Sequence, residues 1–178
     1  DTVLADRPLR FSDGYTPRNY DGTFRGAVSL RYALEHSRNI PTINLVREIG
    51  LQESIACVRQ FNRSGEEEWR LPRQWPTVLG TAELSPLELT AAYQAFANRG
   101  LARGPRLIEG IWTTDGREML IPEPPPTRQL FSSHTAATMI DLLAGVMQNG
   151  TGHRLLEELP EDLRPRIAGK SGTTNDNY

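Results

Sequence analysis

A single lysine, Lys170, stands in the 178 residues, and it opens the run Lys170-Ser171-Gly172-Thr173. An ammonium beside two small hydroxyls suits an anionic oxygen group, through charge-assisted hydrogen bonds. Gly172 removes a side chain where another backbone must come close. Two anions fit such a run, a phosphate or a carboxylate. The phosphate loop fails on its own spacing, because the glycine it requires upstream is replaced by Arg164, with Pro165 beside it. A second polar constellation is Ser37-Arg38-Asn39, just ahead of Pro41. Serine and asparagine favour helix ends and turns, and here they lie between two helical stretches, so their side chains project from a break. His36, His134 and His153 are far apart and show no ligand spacing. Cys57 is the only cysteine, so neither an internal disulfide nor a cysteine-based metal cluster is available. In an amphipathic helix such a thiol is expected to be a small buried hydrophobe. No cofactor or metal is implied.

The elements that position these residues can be read from punctuation and periodicity. Asp13-Gly14, Thr16-Pro17, Asp21-Gly22 and Gly26 break up the first 26 residues, which predicts an irregular connector with short strands at most. Ser29 starts a helix containing Leu30, Ala33 and Leu34 that stops near Ser37-Arg38-Asn39. Pro41 belongs to the first turn of the next helix, with Ile43, Leu45, Val46 and Ile49 at helical spacing as far as Gly50. A third helix is predicted from about Leu51 to Phe61, followed by a polar loop from Asn62 to Glu68. Ser85-Pro86-Leu87-Glu88 is a capping box with proline in the first turn. It begins a helix whose apolar face is Leu89, Ala92, Tyr93 and Phe96, ending at Gly100.

Beyond it, Leu107-Ile108 and Ile111-Trp112 lead into Asp115-Gly116, and Met119 to Ile121 return, a hairpin pattern. Pro122 to Pro126 is a stiff linker. Ser132 or Ser133 caps a long helix with Ala136, Ile140, Leu143 and Met147 on one side and Asn149-Gly150 as its stop. A last strand is predicted over Arg166 to Thr174. Helical block, hairpin, helix and strand together read as an α+β fold with a helical lobe and part of an antiparallel sheet.

Composition is that of an ordinary globular domain, 38% hydrophobic and 24% charged, with mean hydropathy −0.48. A formal net charge of −2 gives no general attraction to nucleic acid, and none is expected as a partner. No apolar run approaches the roughly 18 residues of a membrane span.

Four blocks in order carry a family likeness. They are Tyr15-Thr16-Pro17-Arg18-Asn19-Tyr20-Asp21-Gly22; the stretch from Ser29 through Ser37-Arg38-Asn39 to Thr42; Leu79-Gly80-Thr81-Ala82-Glu83-Leu84-Ser85-Pro86-Leu87-Glu88-Leu89 with Ala92-Tyr93 and Phe96 to Gly100; and Gly150-Thr151-Gly152 ahead of the Lys170 run. Together they resemble the transpeptidase domain of class A, bifunctional penicillin-binding proteins, with the fold shared by penicillin-recognising serine transpeptidases and serine β-lactamases. The resemblance implies a peptidoglycan cross-linking acyltransferase that works through an acyl-serine. Its partners would be stem peptides, lipid-linked precursors and β-lactam antibiotics. It would act at the extracytoplasmic face of the bacterial cytoplasmic membrane, anchored by a segment outside this chain.

By the same resemblance, Ser37 joins the proton network between nucleophile and Lys170, and Asn39 bonds the substrate amide. Ser171 and Thr173 grip the terminal carboxylate. Gly172 leaves room for substrate backbone, and the Thr173 N–H completes an oxyanion hole. Ser171 departs from the threonine frequent in the family but keeps the hydroxyl. The larger departure is that no Ser-x-x-Lys motif exists, since the residue three before the only lysine is Ile167. The nucleophile helix is therefore expected ahead of Asp1, with the rest of the polypeptide supplying it. Residues 1–178 are then a partial, carboxy-terminal portion of the domain truncated at both ends, inactive alone. A D,D-carboxypeptidase, a serine β-lactamase-like enzyme or a β-lactam-sensing domain shares the same motifs and stays open at this point.

Overall fold

The structure is a computed structural model that describes residues 2–62 and 69–173. It divides into two compact units, one of residues 1–55, 72–81 and 138–178, the other of residues 56–71 and 82–137.

The first unit is built on a short antiparallel pair, β1 (Val3–Asp6) and β2 (Gly26–Ser29), in the register Leu4 opposite Val28 and Asp6 opposite Gly26. Helix α1 (Leu30–Glu35) follows without a loop, because the Ser29 hydroxyl accepts the Tyr32 N–H at 3.1 Å and caps the helix. Leu4, Val28 and Ala33 are buried together, with Leu30, Tyr32 and Leu45 packed against them. Helix α2 (Asn39–Ile49) buries Ile40, Ile43 and Val46. Ile40 and Ile43 are fully excluded from solvent, which contributes about 1.5–3 kcal/mol for each side chain. Gly50, at φ 107°, ends α2 and leads into α3 (Leu51–Arg59). A short 3-10 turn at Trp75–Leu79 stacks Trp75 on Phe11, with ring centroids 4.5 Å apart.

In the second unit, helix α4 (Pro86–Ala97) begins with the capping box expected from its sequence. Ser85 Oγ accepts the Glu88 N–H, and Glu88 Oε2 accepts the Ser85 N–H at 2.7 Å. Glu88 Oε1 also takes the indole N–H of buried Trp69 at 3.0 Å. Strand β3 (Leu101–Arg103) follows. The predicted hairpin is β4 (Ile111–Trp112) with β5 (Glu118–Leu120), turning at Gly116 with φ 84°. Leu107-Ile108 stay outside it. Strand β6 (Thr127–Gln129) pairs antiparallel with β3, and Phe61, Phe96 and Phe131 meet at centroid distances of 5.4 to 5.7 Å.

The long helix α5 (Ser133–Asn149) starts at Ser132, whose hydroxyl accepts the Thr135 N–H at 3.1 Å. Its buried residues include Ala136, Leu143 and Met147, but Ile140 is exposed, and Leu142 and Val146 take its place. The buried stripe is thus rotated from the predicted one. Helix α6 (His153–Glu158) follows in the first unit, where the sequence reading placed no element.

Two further expectations are corrected. Residues 166–173 form no strand: Pro165 sits in a 3-10 turn, Arg164–Arg166, and beyond it the Gly169 N–H bonds Leu143 O, a carbonyl of α5, at 3.2 Å. A strand needs a paired neighbour to satisfy its backbone, and no described strand lies alongside. Thr174 and residues 63–68 of the predicted loop fall outside the described residues. Cys57 is exposed, not buried, because Ile55 takes the inward face of α3 and a residue two positions on points elsewhere.

Candidate active site

The site grows from the way α1 ends. The Ser37 N–H bonds Leu34 O at 3.2 Å and the Arg38 N–H bonds Ala33 O at 2.8 Å, the paired bonds of a Schellman turn. That turn requires its closing residue to be left-handed, a position usually given to glycine, and Ser37 occupies it at φ 50°. Held this way, the serine side chain stands clear of the helix.

Arg38 fixes the turn from behind. It is 5% exposed, and its Nε and Nη2 reach the fully buried Asp6 carboxylate at 3.0 and 2.8 Å. Its Nη1 reaches Asp21 at 2.7 Å, and its Nη2 also donates to Thr23 O at 2.6 Å. Burial works against the guanidinium charge, but the hydrogen bonds and charges of Asp21 and Asp6 outweigh it and hold Arg38 above its ordinary pKa. Asp21 is held well below the usual carboxylate range, first by the Thr23 hydroxyl and backbone N–H and then by Arg38.

Asn19 completes the cluster. Its Nδ2 donates to Asp6 Oδ1 at 2.7 Å and to Thr23 O at 2.9 Å, and its Oδ1 accepts the Ile40 N–H at 3.1 Å. Every charge here is paired, as buried charges must be. In the sequence Arg38 fills the variable middle position of its triplet and carries no signal of its own.

Lys170 comes to this turn from the far end of the chain. Its Nζ donates to Ser37 Oγ at 2.8 Å and to Ser171 O at 3.1 Å, with Ser171 Oγ at 3.5 Å. Half-buried, the ammonium is pushed below its ordinary pKa of 10.5 by desolvation. A lysine whose charge is disfavoured, hydrogen-bonded to a serine hydroxyl, can take a proton passed through that serine.

Asn39, the third residue of the predicted constellation, points its Nδ2 to Arg18 O at 2.8 Å. Ser171, Gly172 and Thr173 are exposed. A side chain added at Gly172 would meet no atom of this chain within 4 Å, so the space the glycine keeps open faces solvent. A polar cavity of about 340 Å³ lies beside Ser37, with Tyr20, Asp21, Tyr32 and His36 in its walls. Among the described residues, no group of three or more His, Cys, Asp or Glu side chains is placed to hold a metal ion.

Residues 1–178 match the penicillin binding protein transpeptidase domain family. Penicillin-binding protein 1A of Pseudomonas aeruginosa is 28% identical over 229 residues, which cover 98% of this chain and 27% of that protein. The crystal structure of penicillin-binding protein 1A from Haemophilus influenzae superposes with a TM-score of 0.85 at 22% identity, over 97% of this chain and 31% of that one. Penicillin-binding protein A from M. tuberculosis, in its penicillin G acyl-enzyme complex, superposes at 0.74 with 20% identity, over 83% of this chain and 39% of that one. These structural likenesses are of fold. The chain spans about a quarter of the length of the curated relatives it matches.

Proposed function

The chain belongs to the penicillin binding protein transpeptidase domain family, and we propose on that premise that it is one wall of a peptidoglycan D,D-transpeptidase site whose serine nucleophile comes from outside these 178 residues. The observation that carries this reading is the Lys170–Ser37 hydrogen bond of 2.8 Å, which joins two motifs 133 residues apart. It pairs a desolvated amine with a serine held in an unfavourable backbone conformation, an arrangement that stability alone does not ask for.

In the proposed reaction the absent serine Oγ attacks the penultimate D-alanine carbonyl of a stem peptide. The C–O bond forms, and the serine proton passes towards Ser37 and Lys170. The tetrahedral intermediate collapses with departure of D-alanine, which takes up a proton, and an acyl-serine remains. An amine from a second stem peptide attacks that ester, releasing the serine and completing the cross-link. Ser171 and Thr173 bind the terminal carboxylate, Asn39 the substrate amide, and the Thr173 N–H the oxyanion. In this role Asn39 exchanges its bond to Arg18 O for one to the ligand. β-Lactams enter as substrate mimics and stop at the acyl stage.

The work is done at the extracytoplasmic face of the membrane, where lipid-linked precursors are consumed, with the anchor elsewhere in the polypeptide. No helix among the described residues is long and apolar enough to cross a membrane.

Labelling with a fluorescent penicillin tests the reading. The full-length polypeptide is expected to take one covalent label and the isolated 178 residues none. An adduct on the isolated chain would contradict an external nucleophile. Incubation of the full-length protein with lipid-linked precursors should yield cross-linked product; D-alanine release alone would instead indicate a carboxypeptidase.

A further inference from the structure

Gly150-Thr151-Gly152 is a sequence block to which the reaction above assigns no task, and the structure gives it one. The block follows α5, where the Gly150 and Gly152 N–H groups both bond Val146 O, at 3.2 and 3.0 Å. The Thr151 N–H bonds Glu35 O at 3.0 Å, at the end of α1. A side chain at Gly150 would collide with that same Glu35 carbonyl, so the glycine is what lets the turn lie against the helix end. The Thr151 hydroxyl then meets the Ser171 hydroxyl at 2.6 Å. With the Lys170–Ser37 bond, this closes a ring: Ser37, Lys170, Ser171, Thr151, Glu35, and two residues along the chain Ser37 again.

We propose that Thr151 is a positioning residue that aims the Ser171 hydroxyl at the carboxylate of the incoming substrate, an inference that rests on the transpeptidase reading. A carboxylate accepts hydrogen bonds only, so Ser171 must spend its one hydroxyl hydrogen on it. The bond between the two hydroxyls then has a fixed direction: Thr151 donates and Ser171 accepts. Each donor in such a chain polarises the next, and Ser171 becomes the stronger donor. The need is specific to serine. A threonine at 171 would have its χ1 restricted by the second branch on Cβ, whereas a serine hydroxyl swings among three wells unless something holds it. Thr151 supplies that hold from a turn anchored to the same helix end that carries Ser37.

The test is acylation of the full-length polypeptide by benzylpenicillin and by its methyl ester, which lacks the carboxylate. Thr151→Val keeps the shape and the backbone bond to Glu35 and removes only the hydroxyl. It is expected to lower the second-order acylation rate with benzylpenicillin about tenfold, roughly 1.4 kcal/mol, and to leave the rate with the ester unchanged. Thr151→Ser should restore benzylpenicillin acylation to within about twofold of wild type. In a Ser171→Ala background, Thr151→Val should add no further loss.

Equal rates for wild type and Thr151→Val overturn the proposal. So does an equal loss with both probes, or Thr151→Ser as impaired as Thr151→Val, since either marks a general structural role. Wild-type protein that neither probe acylates overturns the transpeptidase reading itself, and this role with it.

Discussion

The ends of α1 and α4 are both closed by a residue other than glycine in the left-handed region, Ser37 at φ 50° and Arg99 at φ 55°. In each, an N–H two residues beyond the helix cap reaches back into the last turn, Arg38 to Ala33 O and Gly100 to Ala95 O, both at 2.8 Å. The surroundings then diverge. Arg99 is exposed, and the close packing falls on Gly100, where any side chain would run into the Phe131 carbonyl. At α1 the residue after the turn is the buried Arg38, tied to Asp6 and Asp21, and the left-handed residue itself holds Lys170. The same turn is thus a packing device in one unit and, in the other, the mount of the serine that Lys170 bonds. The strained backbone at Ser37 goes with the proposed proton-transfer role, whereas none is proposed for Arg99.

Replacing Ser37 by glycine should pull those two aspects apart. Acylation of the full-length protein is expected to fall by about 10²- to 10⁴-fold, the usual worth of a proton-transfer group. Thermal stability should change by no more than about 1 kcal/mol, because relief of the left-handed penalty is offset by the greater backbone entropy of glycine and by loss of the hydroxyl that accepts the Lys170 bond. Acylation at the wild-type rate would refute the mount. Arg38→Ala should cost about 3–5 kcal/mol in urea unfolding, because it strands the buried Asp6 carboxylate. A loss under about 1 kcal/mol would show that the turn does not depend on the cluster.

The pH profile is the next test. Because desolvation lowers the Lys170 pKa, its free amine is reached at lower pH than in an ordinary lysine, and acylation should rise through a midpoint below 10.5. For stability the sign is the same. The cost of the buried charge is full below the folded pKa and is relieved as pH rises towards 10.5, because the unfolded state there binds more protons. A rising limb centred at or above 10.5 would speak against Lys170 as proton acceptor. Smallest of all, Arg99→Gly should stabilise by about 0.5–1 kcal/mol and leave acylation unchanged; a change in acylation would erase the contrast between the two turns.

Much of this was legible in the sequence where a local rule decides the structure. Ser29 and Ser85 cap helices because a serine hydroxyl satisfies free N–H groups whatever lies farther away. Asp115-Gly116 turns a hairpin because glycine takes φ 84° without penalty. Apart from the short helix α6, the failures are non-local. Residues 166–173 have the apolar-to-polar look of a strand, but strand formation depends on a neighbour that sequence cannot name. Ile140 fits the helical period, yet the burial of α5 is set by what packs against it, which rotated the stripe to Leu142 and Val146.

In the site, Ser37 and Lys170 could be singled out by residue type and motif. Arg38 could not, because its importance comes from Asp6 and Asp21, which the chain brings back from 32 and 17 residues away. Thr151 could be seen as part of a block, but its meeting with Ser171 is a fact of three dimensions.

The span of these contacts also sets an order of assembly. Asp6, Asn19, Asp21 and Arg38 close loops of 13 to 32 residues, whereas Lys170 reaches Ser37 across 133. Loop-closure entropy makes the longer closure costlier by about 1.3 kcal/mol. The Ser37 turn is therefore expected to form as a local nucleus, with the Lys170 segment docking onto it late in folding. Pulsed hydrogen exchange during refolding should protect the Arg38 amide before that of Gly169; the reverse order would rule this out. A site assembled in that sequence loses its lysine first on heating, while the turn that presents the serine is still intact.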